Sequence, residues 1–374
     1  MDVKKKRIIH ISIIVGIIIL VALIITLAVV LSSKEDKQEE PEKKSEEKEE
    51  EEEVDIVNSY NNTDELIKKY PVQNPTTVKA GLEEKIQNRL LTGFENWNRG
   101  FKAWKAWGNI LYTQDSIYNV HGVRLTLAHY QESMDVALKQ TNIIMGTFHN
   151  MLICDEFTAI YYDFVTVIGN NRVNATVMEF VKFKDYEGEL GTRVVEGWGS
   201  TKDNSYDAML NFQGPEEKKV QQEQLDYMLK YEIPETDNLR EKYLIKYPTN
   251  YTDDNAEKIL DIILKGFDSW NNGISEYLNW LSIGYDEDAK SCDLQSKNRT
   301  MSEYKEEMKA LVEKENIKKI YFDNILIRDN WAALHYRYTN ENLSTKEITA
   351  GDRMQFLKFE QKGENLKIVA SFIQ

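Results

Sequence analysis

The sequence has little of what builds covalent cross-links and metal centres. Its 374 residues include two cysteines, Cys154 and Cys292, and five histidines that show no paired spacing. Two cysteines are too few for a disulfide framework, and without CxxC or clustered Cys and His the common zinc motifs are excluded. GxSxG, P-loop, HExxH and dinucleotide-binding motifs are also missing. We therefore expect no metal site and no cofactor.

An excess of basic charge is also lacking. Lys and Arg number 47 against 62 Asp and Glu, which gives a formal net charge of −15. A protein without a net positive field does not attract the phosphates of nucleic acids, so no nucleic-acid partner is expected. Much of the acidity falls within residues 32–62, where apolar side chains are scarce. This composition predicts an acidic, disordered tether.

One long apolar run lies near the N-terminus. Residues 8–31 read IIHISIIVGIIILVALIITLAVVL, and at about 1.5 Å per residue a helix of this length spans a hydrocarbon core of about 30 Å. A signal peptide is the competing interpretation, but its apolar region usually has about 7 to 15 residues. We favour an uncleaved transmembrane helix. Because Lys4 to Arg7 precede it, residues 1–7 are predicted to be a cytoplasmic basic tail, with the remainder extracytoplasmic.

An internal repeat organises the rest of the chain. Residues 91–100 read LTGFENWNRG, and residues 264–273 read LKGFDSWNNG. Further matches continue towards the C-terminus, and each of the seven tryptophans has an aromatic residue at the matching position of the other copy. The repeat predicts two domains of one kind, a first repeat at 63–210 and a second repeat at 236–374. Pro215 and a Gln/Glu/Lys-rich stretch predict a helical linker at 211–235.

The two repeats show the same order of periodic patterns. Apolar residues at helical spacing predict a long helix at 80–107 and at 256–280. Next come a short strand, at 110–118 in the first repeat, and a second helix, at 125–138 in the first repeat and at 301–312 in the second. Strand-like runs follow at 143–153, 157–168, 173–183 and 193–200. Consecutive strands with tight turns form antiparallel sheets, so the predicted fold class is α+β.

Three features of the repeats resemble the NTF2-like superfamily, particularly its SnoaL-like, polyketide cyclase-like branch. They are the Trp97-Asn98 and Trp270-Asn271 helix motif, the strand that carries Tyr112 and Asp115 or Tyr285 and Asp288, and a closing hairpin over 351–369. The resemblance implies two tandem cone domains, each with a long helix and a curved antiparallel sheet around an apolar interior. It says less about activity, because this fold hosts isomerases, dehydratases, cyclases and binding modules.

Catalytic members of such a family place a carboxylate or a histidine inside the cone as a base. The candidate catalytic residues are Asp115, whose position is repeated as Asp288, and His121, which has no ionisable counterpart in the second repeat. A base needs a pKa that is shifted by apolar burial. The alternative for Asp115 is a structural role, in which it binds local backbone amides. The alternative for His121 is an exposed loop position.

Aromatic side chains supply most of the remaining candidates. They could line a ligand cavity, or they could simply form the core between sheet and helix, where Trp and Tyr bury large areas. The ligand-binding candidates are Trp97, Trp104, Trp107, Tyr112, Tyr118, Tyr162, Glu179 and Trp198 in the first repeat, and Trp270, Trp280, Tyr285 and Asp288 in the second.

The leading hypothesis is a single-pass protein of the cell membrane that displays two SnoaL-like domains outside the cell and binds a small molecule or an envelope protein without catalysis. It is motivated by an aromatic framework that both repeats keep, while Tyr118 and His121 have Ser291 and Leu294 as counterparts. The alternative is an isomerase, dehydratase or cyclase activity of the first repeat on an apolar small molecule. A third hypothesis is assembly, with a dimer through the sheet faces.

Overall fold

The structure is a computed structural model. Residues 54–374 form one compact unit. The predicted basic tail, the membrane segment at 8–31 and most of the acidic tether lie outside the described residues, and within the described part no helix is long and apolar enough to cross a membrane. The described residues are 54–57, 63–140, 142–168, 171–186, 191–201, 209–251, 254–293 and 298–374.

Helices and strands alternate in the same order in both repeats. The described elements of the first repeat are α1 (Thr63–Lys69), β1 (Val72–Asn74), α2 (Leu82–Asn98), α3 (Phe101–Leu111), β2 (Tyr112–Val120), β3 (Val123–Thr126), α4 (Leu127–Gln140), β4 (Asn142–Cys154), β5 (Phe157–Ile168), β6 (Asn171–Tyr186) and β7 (Gly191–Thr201). Helix α5 (Pro215–Lys230) then links the repeats, as the proline at its start predicts. The second repeat has α6 (Leu239–Lys242), β8 (Ile245–Tyr247), α7 (Asp254–Asn271), α8 (Ile274–Gly284), β9 (Tyr285–Asp293), β10 (Asn298–Arg299), α9 (Met301–Val312), β11 (Glu315–Arg328), β12 (Trp331–Asn342), β13 (Ile348–Lys362) and β14 (Asn365–Ile373).

Each repeat forms a seven-stranded sheet. The strand order is β1-β4-β5-β6-β7-β2-β3 in the first repeat and, equivalently, β8-β11-β12-β13-β14-β9-β10 in the second. Strands β4 to β7 and β11 to β14 pair antiparallel. Strands β1 and β8 join one edge in parallel, and β2 and β9 run parallel to β7 and β14. The predicted α+β class is confirmed, and the predicted strand runs coincide closely with β4 to β7.

The prediction of one long helix in each repeat, at 80–107 and at 256–280, is wrong. The helix is interrupted at the glycine of the W-N-x-G motif, at Gly100 and Gly273, whose φ angles are 107° and 117°. Side-chain-bearing residues rarely adopt such angles, so this glycine lets the chain turn between α2 and α3 and between α7 and α8. Periodicity missed the break because the apolar pattern continues across it.

The asparagine of the same motif fastens the helix to the sheet. Asn98 Oδ1 accepts a hydrogen bond of 2.8 Å from the backbone N–H of Met145 in β4. Asn271 Oδ1 accepts one of 3.0 Å from the backbone N–H of Lys319 in β11. Equivalent bonds in the two repeats explain why the motif recurs, and they identify Lys319 as the counterpart of Met145.

The tyrosine before each edge strand is held by the same asparagines. Asn98 and Asn271 donate to the hydroxyl oxygens of Tyr70 and Tyr243, each over 3.2 Å. Although a proline follows both Tyr70 and Tyr247 in the sequence, the counterpart of Tyr70 is Tyr243. Tyr243 makes the equivalent bond, and Tyr247 lies within β8.

The two sheets pack against each other face to face. Because side chains alternate along a strand, one face of each sheet contributes to a shared apolar cluster, and the other faces the helices. Burying one such large apolar side chain contributes about 1.5–3 kcal/mol. The cluster contains Leu152, Phe157, Met178, Phe180 and Trp198 from the first sheet and Leu326, Trp331, Met354 and Phe356 from the second.

At the ends of this contact, a hairpin turn of each repeat accepts a hydrogen bond from the other repeat. Asp155 and Asp329 occupy the β4–β5 and β11–β12 turns, and each has a φ of 55°. Asp155 Oδ2 accepts a 3.1 Å hydrogen bond from the backbone N–H of Asn250 in the second repeat. Asp329 Oδ2 accepts one of 2.7 Å from the backbone N–H of Thr77 in the first. The pair of bonds locks the repeats in a near-symmetric arrangement.

Helix α5 contacts both repeats. Near its start, Glu217 accepts a 2.5 Å hydrogen bond from the backbone N–H of Thr126 and lies 2.7 Å from Nδ1 of His129, at the beginning of α4. Near its end, the ring of Tyr231 lies 5.4 Å from that of Tyr321 in β11. The second repeat has a different arrangement at the start of the equivalent helix, α9, where Thr300 and Glu303 form a capping box.

Candidate functional site

The helix-facing side of the first sheet carries a carboxylate surrounded by tyrosines. Glu179 in β6 accepts a 2.5 Å hydrogen bond from the hydroxyl of Tyr118 in β2. The hydroxyl of Tyr162 in β5 also hydrogen-bonds to this carboxylate. The ring of Tyr118 stacks on that of Tyr130 with centroids 4.3 Å apart, and the ring of Tyr112 lies 6.3 Å from Tyr118. We call these five residues the Glu179 site.

Two glycines in β7 make room for this arrangement. A Cβ atom at Gly197 would lie 2.4 Å from the ring of Tyr118, and one at Gly199 would lie 3.2 Å from its hydroxyl. The second repeat has Ser371 and Ile373 at these positions, since Trp198 pairs with Phe180 as Phe372 pairs with Phe356. The space that Tyr118 fills is therefore specific to the first repeat.

The environment of Glu179 raises the pKa of its carboxyl group above the ordinary value. Burial raises the pKa of Glu179, and the hydrogen bonds from Tyr118 and Tyr162 offset only part of this effect. Burial, together with the nearby Glu179 carboxylate, raises the pKa of Tyr118 well above its ordinary value. The phenol therefore remains a donor, and the site combines a carboxyl group and two hydroxyls in largely apolar surroundings.

Tryptophans from α2 and α3 extend the wall beside the tyrosines. The ring of Trp104 lies 5.7 Å from that of Tyr130 and 5.0 Å from that of Trp97. Trp107 has a different role, because its indole nitrogen lies only 3.1 Å from where a Cβ at Gly93 would be. Trp107 is 1% exposed and packs the two helices together.

Trp198 does not line this site. Its ring lies 5.6 Å from that of His335 and 6.2 Å from that of Tyr247, both in the second repeat. The prediction that it forms part of the cone wall is wrong, because Trp198 follows Gly197 in β7 and therefore points to the opposite face of the sheet.

Neither of the two candidate catalytic residues is one of the five residues of the Glu179 site. Asp115 is exposed, in a stretch where the pairing of β2 with β7 is irregular between Tyr112 and Ile117. His121 is in the β2–β3 turn, with a φ of 52°. Asp288 is exposed, and its backbone N–H donates to Asp286 Oδ1 over 3.1 Å. Neither Asp115 nor Asp288 has the apolar burial that the base hypothesis requires.

The second repeat keeps the aromatic framework with different polar groups. Trp270 Nε1 donates a 2.8 Å hydrogen bond to the carbonyl of Ile317. The ring of Tyr277 lies 4.7 Å from Trp270 and 5.7 Å from Trp280, and Trp280 lies 5.6 Å from Tyr285. At the position of Glu179 the second repeat has Gln355, whose amide donates to the hydroxyl of Ser371 over 2.8 Å.

Across the described residues, no group of His, Cys, Asp and Glu side chains could hold a metal ion. Four of the five residues of the Glu179 site, Tyr112, Tyr118, Tyr162 and Glu179, are among the ligand-binding candidates that the sequence provides. Tyr130 was missed as a site residue, because its position in α4 appeared only as a repeat match. Gly197 and Gly199 were missed because their effect depends on the neighbouring strand.

No family model matches the sequence, and no curated protein matches it. Among solved structures, a ketosteroid isomerase-like protein from Erwinia carotovora atroseptica aligns at 11% identity over 32% of this chain and 95% of that chain, with a TM-score of 0.27. A SnoaL-like polyketide cyclase from Agrobacterium tumefaciens aligns at 14% identity over 31% and 90%, with a TM-score of 0.27. An NTF2-like protein from Pseudomonas putida aligns at 10% identity over 32% and 87%, with a TM-score of 0.26.

Glu179 and Glu217 predict opposite effects of pH on stability. A raised pKa in the folded state means that Glu179 contributes fully below its ordinary pKa of 4.5 and that this contribution is lost as the pH rises. Burial also acts to raise the pKa of Glu217, but hydrogen bonds from Thr126, His129 and Gly214 outweigh it, and the net pKa is lowered. The contribution of Glu217 is therefore present above 4.5 and lost as the pH falls.

We expect Glu179→Gln to gain stability relative to the wild type as the pH rises above 4.5, and Glu217→Gln to lose relative stability as the pH rises towards 4.5 from below. Urea unfolding of both variants and the wild type at several pH values measures these slopes. Equal slopes for the two variants, or a falling relative stability of Glu179→Gln with rising pH, would contradict the assignment.

Proposed function

We propose that the protein is anchored in the cell membrane by residues 8–31 and displays two tandem SnoaL-like, NTF2-like domains outside the cell. We further propose that the first repeat binds a small, largely apolar molecule that bears a hydroxyl group. The observation that carries this proposal is the Glu179 site itself: a carboxyl group held by two tyrosine hydroxyls, for which β7 provides a pair of glycines.

The chemistry of the site suits such a ligand. Glu179 and Tyr112 each keep part of their surface accessible, while Tyr118, Tyr130 and Tyr162 are buried. Aromatic rings would contact an apolar body, and the carboxylate would accept a hydrogen bond from the ligand hydroxyl. Discrimination against analogues that lack the hydroxyl follows, because they cannot donate this hydrogen bond to the carboxylate.

An acid–base activity is the second candidate function, and the raised pKa of Glu179 is the observation that favours it. Groups with perturbed pKa values cluster at catalytic sites. In the isomerase, dehydratase or cyclase alternative, the base would be Glu179, since Asp115 is exposed and His121 lies in a turn. We rank binding first because both hydrogen bonds that act on the pKa of Glu179 come from tyrosine hydroxyls, those of Tyr118 and Tyr162.

Assembly through the sheet faces stays a prediction. The apolar face of each described sheet is already covered by the other repeat within the same chain. A dimer between chains would therefore need another surface, such as the exposed side chains of Ile283 and Ile348, which are 62% and 57% accessible. An envelope-protein partner remains the other form of binding that we propose.

The membrane topology is tested with single cysteines. In expressing cells, a membrane-impermeant maleimide should label Ser45→Cys in the tether without lysis and Asp2→Cys only after lysis, because the positive-inside rule places the basic tail in the cytoplasm. The unsubstituted chain is the control for Cys154 and Cys292. Labelling of Asp2→Cys in intact cells, or recovery of a soluble product without residues 8–31, would contradict the anchor.

The ligand hypothesis is tested with naphthol as a fluorescent probe and naphthalene as its hydroxyl-free analogue. We expect wild-type protein to prefer naphthol and Glu179→Gln to bind it about tenfold more weakly, since a hydrogen bond to a charged group contributes about 1.5–3 kcal/mol. Glu347→Gln, an exposed glutamate, is the charge-matched control. Equal affinity of both compounds in the wild type would contradict hydroxyl recognition. Conversion of bound compounds to products that requires Glu179 would favour the enzymatic alternative.

A further inference from the structure

A lysine lies inside the aromatic framework of the second repeat. The amine nitrogen of Lys319, in β11, has four ring centroids within 5.6 Å. They belong to Phe267 at 4.6 Å, Trp270 at 5.0 Å, Tyr277 at 5.5 Å and Tyr336 at 5.6 Å. The rings come from α7, α8 and β12, so the amine sits between the helices and the sheet. Lys319 was not a candidate from the sequence, because a lysine in a strand is usually exposed to solvent.

A second cation lies nearby. Arg353, in β13, pairs with Tyr336 in β12, and its guanidinium carbon is 5.2 Å from the ring centroid of Tyr338. Burial first, and then the charge of Arg353, lower the pKa of Lys319 to about 7. Burial acts to lower the pKa of Arg353, but the neighbouring tyrosines outweigh this effect, and the net pKa is raised. Within the described part of the chain, neither Lys319 nor Arg353 forms an ion pair with a carboxylate.

The first repeat has apolar side chains at both positions. Met145 takes the place of Lys319, as the equivalent bonds from Asn98 and Asn271 show. Val177 takes the place of Arg353, since Val177 pairs with Tyr162 as Arg353 pairs with Tyr336. The fold therefore does not need a cation at either site. Two neighbouring cations without a carboxylate partner are unfavourable in a low-dielectric interior, and a bound anion would relieve that cost.

We propose that the second repeat binds an organic monocarboxylate with an apolar body, whose carboxylate lies between Lys319 and Arg353 and whose body contacts the surrounding rings. Both cations keep part of their surface accessible. The hydroxyls of Tyr277 and Tyr304, 3.2 Å apart, lie in the same framework and provide further donors. This site goes beyond the hydroxyl-ligand site of the first repeat and does not depend on it.

The test uses the full chain in lipid nanodiscs and para-fluorobenzoate as the probe. Fluorine NMR measures the affinity of the probe. We expect Lys319→Met and Arg353→Val, which install the residues of the first repeat, each to weaken binding about tenfold or more. Lys318→Met removes an exposed lysine of the same strand and should bind like the wild type. Neutral para-fluorobenzyl alcohol should bind more weakly to the wild type. Unchanged affinity in Lys319→Met, or equal binding of acid and alcohol, would overturn the proposal.

A measurement on the wild-type chain keeps the test decisive if a variant fails to fold. Trinitrobenzenesulfonate modifies unprotonated amines, and peptide mass spectrometry reports each lysine separately. We expect saturating para-fluorobenzoate to slow modification of Lys319 at least tenfold and to leave Lys318 unchanged, because the bound carboxylate favours the protonated amine and covers it. Equal rates for Lys319 with and without para-fluorobenzoate would overturn the proposal.

Discussion

The face-to-face contact between the two sheets is the constraint on which the rest of the structure depends. It commits one face of every central strand to the other repeat, through Phe180 and Trp198 on one side and Trp331 and Phe356 on the other. The turn bonds of Asp155 and Asp329 hold the two repeats in register. Both proposed sites lie on the opposite, helix-facing side of each sheet.

The two repeats keep one framework and carry opposite charges within it. The asparagine of the W-N-x-G motif binds the same strand position in both, and rings from equivalent elements surround both interiors. The first repeat then places Glu179 among tyrosines, whereas the second has Gln355 at that position and adds Lys319 nearby. Duplication can preserve packing while single substitutions change what each interior binds, and this divergence is more informative than the shared fold.

The repeat, the fold class and most strands were predictable because they depend on local periodicity, which the sequence carries directly. The helix break at Gly100 was missed, because one glycine interrupts an otherwise continuous apolar pattern. Trp198 was assigned to the wrong face because the sequence does not show which face of β7 packs against the other repeat. Asp115 was assigned to the wrong surroundings because the pairing of β2 with β7 is irregular around it. Lys319 was missed for a related reason: its partners come from α7, α8 and β12, which lie apart in sequence.

Cooperative unfolding of the two repeats tests this account most directly. Hydrogen exchange at increasing urea, read by mass spectrometry on peptides from β5 and β12, reports each sheet separately. If the shared apolar face is the dominant constraint, both strands should lose protection at the same urea concentration, because neither sheet can keep that face exposed. Loss of protection in one repeat at lower urea, with full protection retained in the other, would contradict the account.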